Sequence, residues 1–185
     1  MILEYHTHIE IRGERYAIVN SHRAYFTALK ICRNKDILEE DKAEVLLPIL
    51  FKDEVPTILA VPAIRKYFEL FMEKKGDSGK PCFDLIQDAQ YVYAGFMQAY
   101  GIDLDETTLP VEKFVALLRG LPPDTKLAEI IKIRTMPIPA PTKYNAEQRQ
   151  SIIRAKASVR LESDSDGKGF RQFGQLIKEW AKYGR

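Results

Sequence analysis

The N-terminal residues alternate between apolar and polar side chains, a pattern typical of a strand with one buried face. Ile9 and Ile11 alternate with charged neighbours before Gly13, and Tyr16 begins a second alternating run after it. A glycine between two such runs supplies the positive φ that a tight turn needs. The pattern therefore predicts a β-hairpin over residues 2–19.

Apolar residues beyond the hairpin recur three and four positions apart, which is the spacing of an amphipathic helix. A capping box of Asp84 and Gln87 should begin the central helix, Gly101 should end it, and Pro48 should kink or end an earlier one. The predicted helices cover residues 22–33, 39–51, 62–73, 84–100 and 110–120, a short stretch capped by Asp124, and residues 146–161 and 169–182. The fold class is therefore mainly α: an N-terminal β-hairpin, a compact multi-helix domain and a C-terminal helical extension.

A proline stands at every second position of residues 136–141, whose sequence is MPIPAP. Such a segment is stiff and extended, so it predicts a domain boundary. The expected organisation is a β-hairpin plus helical domain over residues 1–135, a proline-rich linker over 136–144 and a basic helical extension over 145–185. The last helix of the extension carries a narrow apolar seam, which consists of Phe170, Phe173, Ile177 and Trp180.

The net charge is only +2, but it is unevenly distributed. Residues 1–141 carry 18 basic and 21 acidic residues, a net of −3, whereas residues 142–185 carry 10 and 5, a net of +5. The candidate basic face comprises Arg149, Arg154, Lys156 and Arg160. Nucleic-acid phosphates need such a stripe. No helix-turn-helix or zinc signature accompanies it, so we favour a solvated face or a protein-docking helix.

No set of residues in the sequence assembles the chemistry of an enzyme. Residues 76–81 (GDSGKP) resemble the nucleophile segment of trypsin-like proteases, but that family's histidine segment is absent. Residues 162–173 resemble half of a calcium-binding loop but lack its final glutamate. His6 and His8 share a strand face without an identifiable third metal ligand. We therefore predict no enzymatic activity, no cofactor and no metal site.

Neither a membrane span nor an export signal is visible in the sequence. No apolar run approaches the roughly 18 residues that cross a bilayer. Residues 1–11 lack the basic start and apolar stretch of a secretory signal. Cys32 and Cys82 are expected to stay reduced and partly buried. These features predict a cytoplasmic protein that does not associate with membranes.

Two blocks in the middle of the chain carry a resemblance to a known family. The first is DLIQDAQYVYAGFMQAYGIDL at residues 84–104, and the second is KFVALLRGLPPDTKL at residues 113–127, followed by Ile130 and Arg134. The matching hairpin positions are Ile9, Ile11, Gly13, Tyr16, Ile18, Asn20 and Ser21. Over residues 9–135 the chain resembles the phage "gene product fifteen" proteins. It departs from their pattern at Val111 and Glu112, where two tryptophans are frequent, and the C-terminal segment matches nothing we can place.

The resemblance implies a position among phage tail genes rather than a reaction. Such proteins are encoded near the tape-measure gene of long, flexible tails, where tail assembly chaperones are encoded. Those chaperones coat the tape-measure protein, a long helical chain that should aggregate when unprotected. We therefore predict a tail assembly chaperone in the host bacterial cytoplasm. The alternatives are a structural subunit of the phage particle, at the tail or connector, and a basic nucleic-acid-binding accessory protein.

The candidate protein-binding residues follow from helix-in-groove recognition. They are the seam residues Phe170, Phe173, Ile177 and Trp180 and the aromatic residues Tyr67, Phe71 and Tyr91. Most aromatic side chains of the central helices are expected to fill the core of the domain itself. The expected partner is the tape-measure protein or another tail protein. Self-association through the seam and folding back of the last helix onto the domain stay open.

Overall fold

The computed structural model describes residues 3–71 and 82–162. Within these ranges, the chain forms two strands and seven α-helices, so the mainly α fold with an N-terminal hairpin is confirmed. The elements are β1 (His8–Ile11), β2 (Glu14–Ala17), α1 (His22–Arg33), α2 (Glu39–Leu50), α3 (Ala60–Phe71), α4 (Ala89–Tyr100), α5 (Val111–Arg119), α6 (Lys126–Thr135) and α7 (Ala146–Ser158), with a 3₁₀ turn at Thr57–Leu59. The predicted helix over residues 169–182 lies outside the described residues.

The hairpin forms as its alternating pattern predicts. β1 and β2 pair in antiparallel register, with Ile11 opposite Glu14. Arg12 and Gly13 form the two-residue turn, and both have positive φ, 50° and 87°, as a type I′ turn requires. Ile9 and Ile11 are buried while their neighbours in β1 are exposed. One face of the hairpin therefore belongs to a hydrophobic core.

The chain divides into two compact units. Of the described residues, unit 1 contains 3–71 and 104–119, and unit 2 contains 82–103 and 120–162. Unit 2 therefore contains residues 136–144 together with the chain that precedes and follows them. The assignment of that segment as a linker between separate domains stays a prediction.

Unit 1 has a large aromatic and aliphatic core. α1 contacts α2 and α5, α2 contacts α3, and α3 contacts the hairpin. Phe68 lies near the centre, with ring centroids 5.5 Å from Tyr25 and 5.6 Å from Tyr67. The largest buried side chains in the core of unit 1 are Ile18, Tyr25, Leu29, Leu46, Leu50, Ile64, Tyr67, Phe68 and Phe114. Pro48 does lie inside α2, which ends two residues later at Leu50.

Unit 2 is built from α4, α6 and α7, in which α6 contacts both of the others. Its buried apolar side chains are fewer: Val92, Phe96, Leu127, Ile130 and Leu161. Gly95 allows a close approach in α4, because a Cβ there would lie 3.2 Å from Cδ1 of Leu121. Gly101 ends α4 in the left-handed conformation, as predicted. Met97 is exposed, so it does not belong to the buried side of α4.

The predicted capping box of Asp84 and Gln87 does not start α4. Oδ1 of Asp84 accepts hydrogen bonds from the backbone N–H groups of Ile86 and Gln87, which stabilises a turn, and α4 begins only at Ala89. The backbone N–H of Asp84 donates to Oδ2 of Asp88, at 3.0 Å, and not to the side chain of Gln87. The side chain of Gln87 bonds residues near the end of unit 2 instead. The capping box does not form because the side chain of Gln87 bonds Arg160 and Glu162, which are distant in sequence.

The cap of α6 is also displaced by one residue from the prediction. Thr125, rather than Asp124, occupies the N-cap position, and its hydroxyl oxygen accepts a hydrogen bond from the backbone N–H of Ala128. The same hydroxyl donates to the carbonyl oxygen of Pro122 at 2.9 Å. Thr125 is fully buried, whereas Asp124 is exposed. Burial with two satisfied hydrogen bonds explains why the threonine takes this position.

Candidate protein-binding surfaces

α7 is the helix of unit 2 that rests least on hydrophobic burial, because none of its residues is buried. Large apolar side chains on and near it are exposed instead: Tyr144 is 91% exposed, and Ile138 and Ile153 are exposed by somewhat less than half. Single exposed apolar residues are ordinary on protein surfaces. Three of them on one short stretch of unit 2 make the α7 region a candidate protein-binding surface.

Two cations attach α7 to backbone carbonyl groups of its own unit. The Lys156 ammonium donates to the carbonyl oxygens of Ile133, Arg134 and Met136, which lie at the end of α6 and just beyond it. The Arg149 guanidinium donates to the carbonyl oxygen of Pro139. A cation at the C-terminus of a helix satisfies carbonyl groups that have no intrahelical partner and interacts favourably with the helix dipole. The docking of α7 is therefore largely polar.

These contacts divide the predicted basic face into two pairs. Arg149 and Lys156 are half-buried and engaged with carbonyl groups, while Arg154 and Arg160 are exposed. A continuous stripe of four phosphate contacts would need all four cations to be available. The spacing in sequence did not distinguish the cations that bond backbone carbonyl groups from those that face solvent.

A buried ion pair organises the rest of unit 2. Nη1 and Nη2 of Arg134 donate to Oδ2 and Oδ1 of Asp88 at 2.6 and 2.8 Å. The Asp88 side chain is 1% exposed and that of Arg134 is 8% exposed. Two parallel bonds give the strongest geometry for this pair. Nε and Nη1 of Arg134 also donate to the carbonyl oxygens of Val159 and Cys82, so four of its five N–H donors have partners.

The chain that follows α7 is anchored next to this ion pair. Nε of Arg134 donates to the carbonyl oxygen of Val159 at 2.6 Å. The side chain of Gln87 donates to the carbonyl oxygen of Arg160 and accepts from the N–H of Glu162, at 3.0 and 2.8 Å. Leu161 between them is fully buried. Residues 159–162 are therefore held firmly, directly before the C-terminal segment that carries the apolar seam.

Unit 1 has a polar cluster around Glu112, at the start of α5. Its carboxylate accepts hydrogen bonds from the backbone N–H of His6 and from Nδ2 of Asn20, each at 2.8 Å, and lies 2.8 Å from Nδ1 of His6. Asn20 in turn accepts the N–H of Val111. Burial alone would raise the pKa of Glu112, but these donors outweigh it and hold the pKa below its ordinary value. The cluster joins the N-terminal strand region to α5.

A second polar group of unit 1, His22, is buried against the ring of Phe114, with centroids 5.5 Å apart. Nδ1 accepts the N–H of Leu109 at 3.1 Å, and Nε2 lies 3.2 Å from the carbonyl oxygen of Leu104. Burial disfavours the imidazolium and holds the pKa of His22 below its ordinary value, despite the opposing effect of carbonyl groups. These bonds suit a neutral ring that ties the loop before α5 to α1.

The predicted aromatic candidates have different environments. Tyr67 is fully buried in unit 1, and its hydroxyl donates to the carbonyl oxygen of Val19 at 2.9 Å. The ring of Phe71 is half-buried and lies 5.2 Å from that of Tyr67. Tyr91 is half-buried on α4. The core interpretation therefore applies to Tyr67, and the seam of Phe170, Phe173, Ile177 and Trp180 lies outside the described residues.

Some exposed apolar residues were not among the predicted candidates. Ile58 is 80% exposed and Leu38 63%, and Val45 of α2 is also exposed. Isolated residues such as Ile58 have no periodic signal in the sequence. Leu38 and Val45 do lie seven positions apart, which places them on one side of α2. This spacing is the one feature of the sequence from which exposed apolar residues along one side of α2 could have been predicted.

Neither a metal-binding cluster nor a membrane-spanning helix occurs in the part of the chain that the structure describes. Across residues 3–71 and 82–162, no group of three or more His, Cys, Asp or Glu side chains is arranged to hold a metal ion. Nδ1 of His6 faces Glu112, while Nδ1 of His8 faces the hydroxyl of Thr7. Among the helices of that same part, none is long and apolar enough to cross a membrane.

The described residues define a mainly helical protein with an N-terminal β-hairpin and exposed apolar side chains around α7. The family described as Bacteriophage Gp15 protein matches residues 4–161, and the chain belongs to that family. The match extends through α7, beyond the range 9–135 over which the resemblance is visible. No curated protein and no solved structure matches the chain.

Proposed function

We propose that this phage protein is a tail assembly chaperone that binds the tape-measure protein non-covalently, with no cofactor and no catalytic step. Family membership supports a phage protein, and the tail role follows from the gene position that the resemblance implies. The α7 region carries the structural support. Its exposed Ile138, Tyr144 and Ile153 offer apolar contacts to a foreign helix. Because its docking is polar, it can present them without losing a hydrophobic core.

The proposed binding surface combines this region with the seam of the C-terminal segment. Residues 159–162 are anchored in unit 2, so the chain leaves that unit at a fixed point before the segment that carries the seam. A long amphipathic helix with an apolar stripe matches both parts. Two linked contacts on one chain raise the affinity for such a partner more than either contact alone.

Co-expression with the tape-measure protein tests the proposal. The tape-measure protein should remain soluble and co-purify with the full chain, and both effects should decrease with Ile153→Glu or Trp180→Glu. Ile58→Glu is the matched control, because it places the same charge at an exposed apolar residue that belongs to neither proposed contact. Unchanged aggregation of the tape-measure protein with and without the wild-type chain would contradict the chaperone role.

Two further measurements separate the alternatives. Mass spectrometry of purified virions should not detect the chain if it is a chaperone, whereas its presence at stoichiometric amounts would indicate a structural subunit. Binding to duplex or single-stranded nucleic acid at low salt should also be absent. Salt-dependent binding that decreases on neutralising Arg154 and Arg160 would instead favour the nucleic-acid-binding alternative.

A further inference from the structure

The chain that follows α6 contributes one fully buried side chain to the described part of unit 2. α7 buries none of its residues, whereas Leu161, just beyond the end of α7, is 1% exposed. The other buried apolar side chains of the described part of unit 2 belong to α4 and α6. Leu161 is therefore the apolar anchor of residues 146–162, which we call the α7 arm.

Two side chains from the rest of unit 2 hold the backbone around Leu161. Nε2 of Gln87 donates to the carbonyl oxygen of Arg160 at 3.0 Å, and Oε1 of the same amide accepts from the N–H of Glu162 at 2.8 Å. Nε of Arg134 donates to the carbonyl oxygen two residues before Leu161. The amide of Gln87 thus spans Leu161 and holds its side chain in the buried position.

The remaining contacts that attach the α7 arm are polar. Lys156 and Arg149 donate to carbonyl oxygens at the end of α6 and beyond it, and both side chains are only half-buried. A hydrogen bond contributes little net free energy where water can replace the lost partner, and burial of a leucine side chain contributes more. The attachment of α7 therefore depends mainly on Leu161.

We propose that Leu161 is a latch that controls the attachment of the α7 arm. When its side chain is withdrawn, the arm detaches as one body, while α4 and α6 stay folded through their own core and the ion pair of Asp88 and Arg134. Detachment exposes Ile152, which is half-buried in the attached arm, next to the exposed Ile153. This inference rests on the proposed function, because the surface that it regulates is the one proposed to bind the tape-measure protein.

The latch lies where a partner can act on it. One of its bonds is donated by the N–H of Glu162, so a partner that binds the chain beyond this residue acts on the latch before it acts on α7. If the arm is detached in about one molecule in a hundred, a partner that needs the detached arm binds about a hundredfold more weakly than it would to an open latch. Opening the latch removes this penalty.

Hydrogen exchange of the full chain without partner tests the latch. A free helix of 13 residues is only marginally stable, so the α7 amides should exchange whenever the arm detaches. They should therefore exchange faster than the protected amides of α4 and α6, which need unfolding of the whole unit. Leu161→Ala should accelerate the exchange of α7 by about thirtyfold or more, as expected for a fully buried leucine.

Leu127→Ala is the matched control, because it removes the same side-chain atoms at a buried position of α6. It should accelerate the exchange of α4 and α6 and leave that of α7 unchanged, since α7 detaches while the rest of the unit stays folded. Equal acceleration of all three helices by Leu127→Ala would overturn the inference, because α7 would then open only when the whole unit unfolds.

Gln87→Met tests the latch without leaving a cavity in the core. The two bonds that it removes are exposed, so water satisfies the backbone groups that are released. The exchange of α7 should accelerate by about tenfold. An unchanged α7 exchange rate in this variant would contradict the latch, whether or not Leu161→Ala folds.

Co-expression with the tape-measure protein tests the regulatory role. At a limiting amount of the chain, Leu161→Ala should increase the amount of tape-measure protein that co-purifies, because the arm is detached more often. Adding Ile152→Glu should remove the increase. If the wild-type chain binds the tape-measure protein and Leu161→Ala gives no increase, the regulatory role is wrong.

The two experiments separate a failure of the latch from a failure of the proposed function, because the exchange measurement contains no partner. Independent opening of α7, together with a tape-measure protein that aggregates with and without the wild-type chain, would support the latch and contradict the chaperone role. A protected tape-measure protein, together with α7 amides that exchange only as fast as those of α4 and α6, would do the reverse.

Discussion

The two units of this protein are stabilised by different physical means. Unit 1 packs a large set of aromatic and aliphatic side chains, including the fully buried Tyr67, Phe68 and Phe114. Unit 2 buries fewer apolar side chains and places the ion pair of Asp88 and Arg134 among them. Hydrophobic burial is non-directional, whereas a buried ion pair depends on exact partners and geometry. Unit 2 should therefore be the more easily disrupted by substitutions that preserve side-chain shape.

The largest expected effect is that of Asp88→Asn, which keeps the shape of the side chain and removes its charge. The Arg134 guanidinium would then be buried without a counter-charge, which should lower the free energy of unfolding of unit 2 by about 3–5 kcal/mol. Urea denaturation and hydrogen exchange of α4 and α6 measure this. Glu129→Gln breaks an exposed pair with Lys126 and should cost less than about 1 kcal/mol. Equal effects of the two substitutions would contradict the assignment.

Lowering the pH should destabilise unit 1, because the neutral form of His22 is the one that the folded protein favours. Its pKa is lowered in the folded protein, so unfolding takes up a proton once the pH falls below the ordinary value of 6.5. The stabilising contribution is complete above that value and is lost as the pH falls towards the folded pKa, by at most about 1.4 kcal/mol per pH unit. Urea denaturation at about pH 7.5 and about pH 5.5 measures how much the free energy of unfolding changes with pH. His22→Gln should reduce this change, whereas His8→Gln, at an exposed position, should leave it as it is.

Thr125→Ala tests the cap of α6 in unit 2. Loss of an N-cap hydroxyl should lower the free energy of unfolding by about 1 kcal/mol. Asp124→Ala removes the neighbouring side chain that the sequence favoured and should change stability by only a few tenths of a kcal/mol. Thermal unfolding of both variants makes the comparison. A larger effect at Asp124 would mean that the cap lies where the sequence predicted.

The smallest expected effect is that of Lys156→Met, which removes the ammonium from the carbonyl groups at the end of α6. The loss should be about 0.3–1 kcal/mol and confined to α7. Hydrogen exchange of the α7 amides should accelerate, while that of α4 stays unchanged. Arg154→Met is the matched control, because that side chain is exposed on the same helix. Equal acceleration by both variants would exclude a specific role of Lys156.

Local chemistry accounts for the parts of the fold that the sequence predicted. The hairpin turn at Gly13, the bounds of α1 and the left-handed stop at Gly101 each depend on residues close in sequence. The start of α4 depends on Asp88, whose partner Arg134 is distant in sequence. A single sequence contains no direct signal for such pairs. The resemblance included both residues without assigning them a role.

For the candidate surfaces, the sequence identified several of the residues but not which of them are exposed. Hydrophobic periodicity identified Tyr67 and Phe71 as large apolar groups but not whether they face the core or solvent. The exposure of Tyr144 and Ile153 depends on how α7 docks, and that depends on carbonyl groups at the end of α6. Charge counting found Lys156 and Arg149 but could not assign them to backbone acceptors. Tertiary geometry therefore decides which residues are available to a partner.

The anchoring of residues 159–162 has a mechanical consequence. Tension applied to the C-terminal segment passes first into the hydrogen bonds of Gln87 and Arg134 and the buried side chain of Leu161. These bonds lie after α7 along the chain, so the load bypasses that helix and enters α4 and α6 through their ion pair. A binding partner that pulls on the segment would therefore load the ion pair of Asp88 and Arg134 before it loads α7.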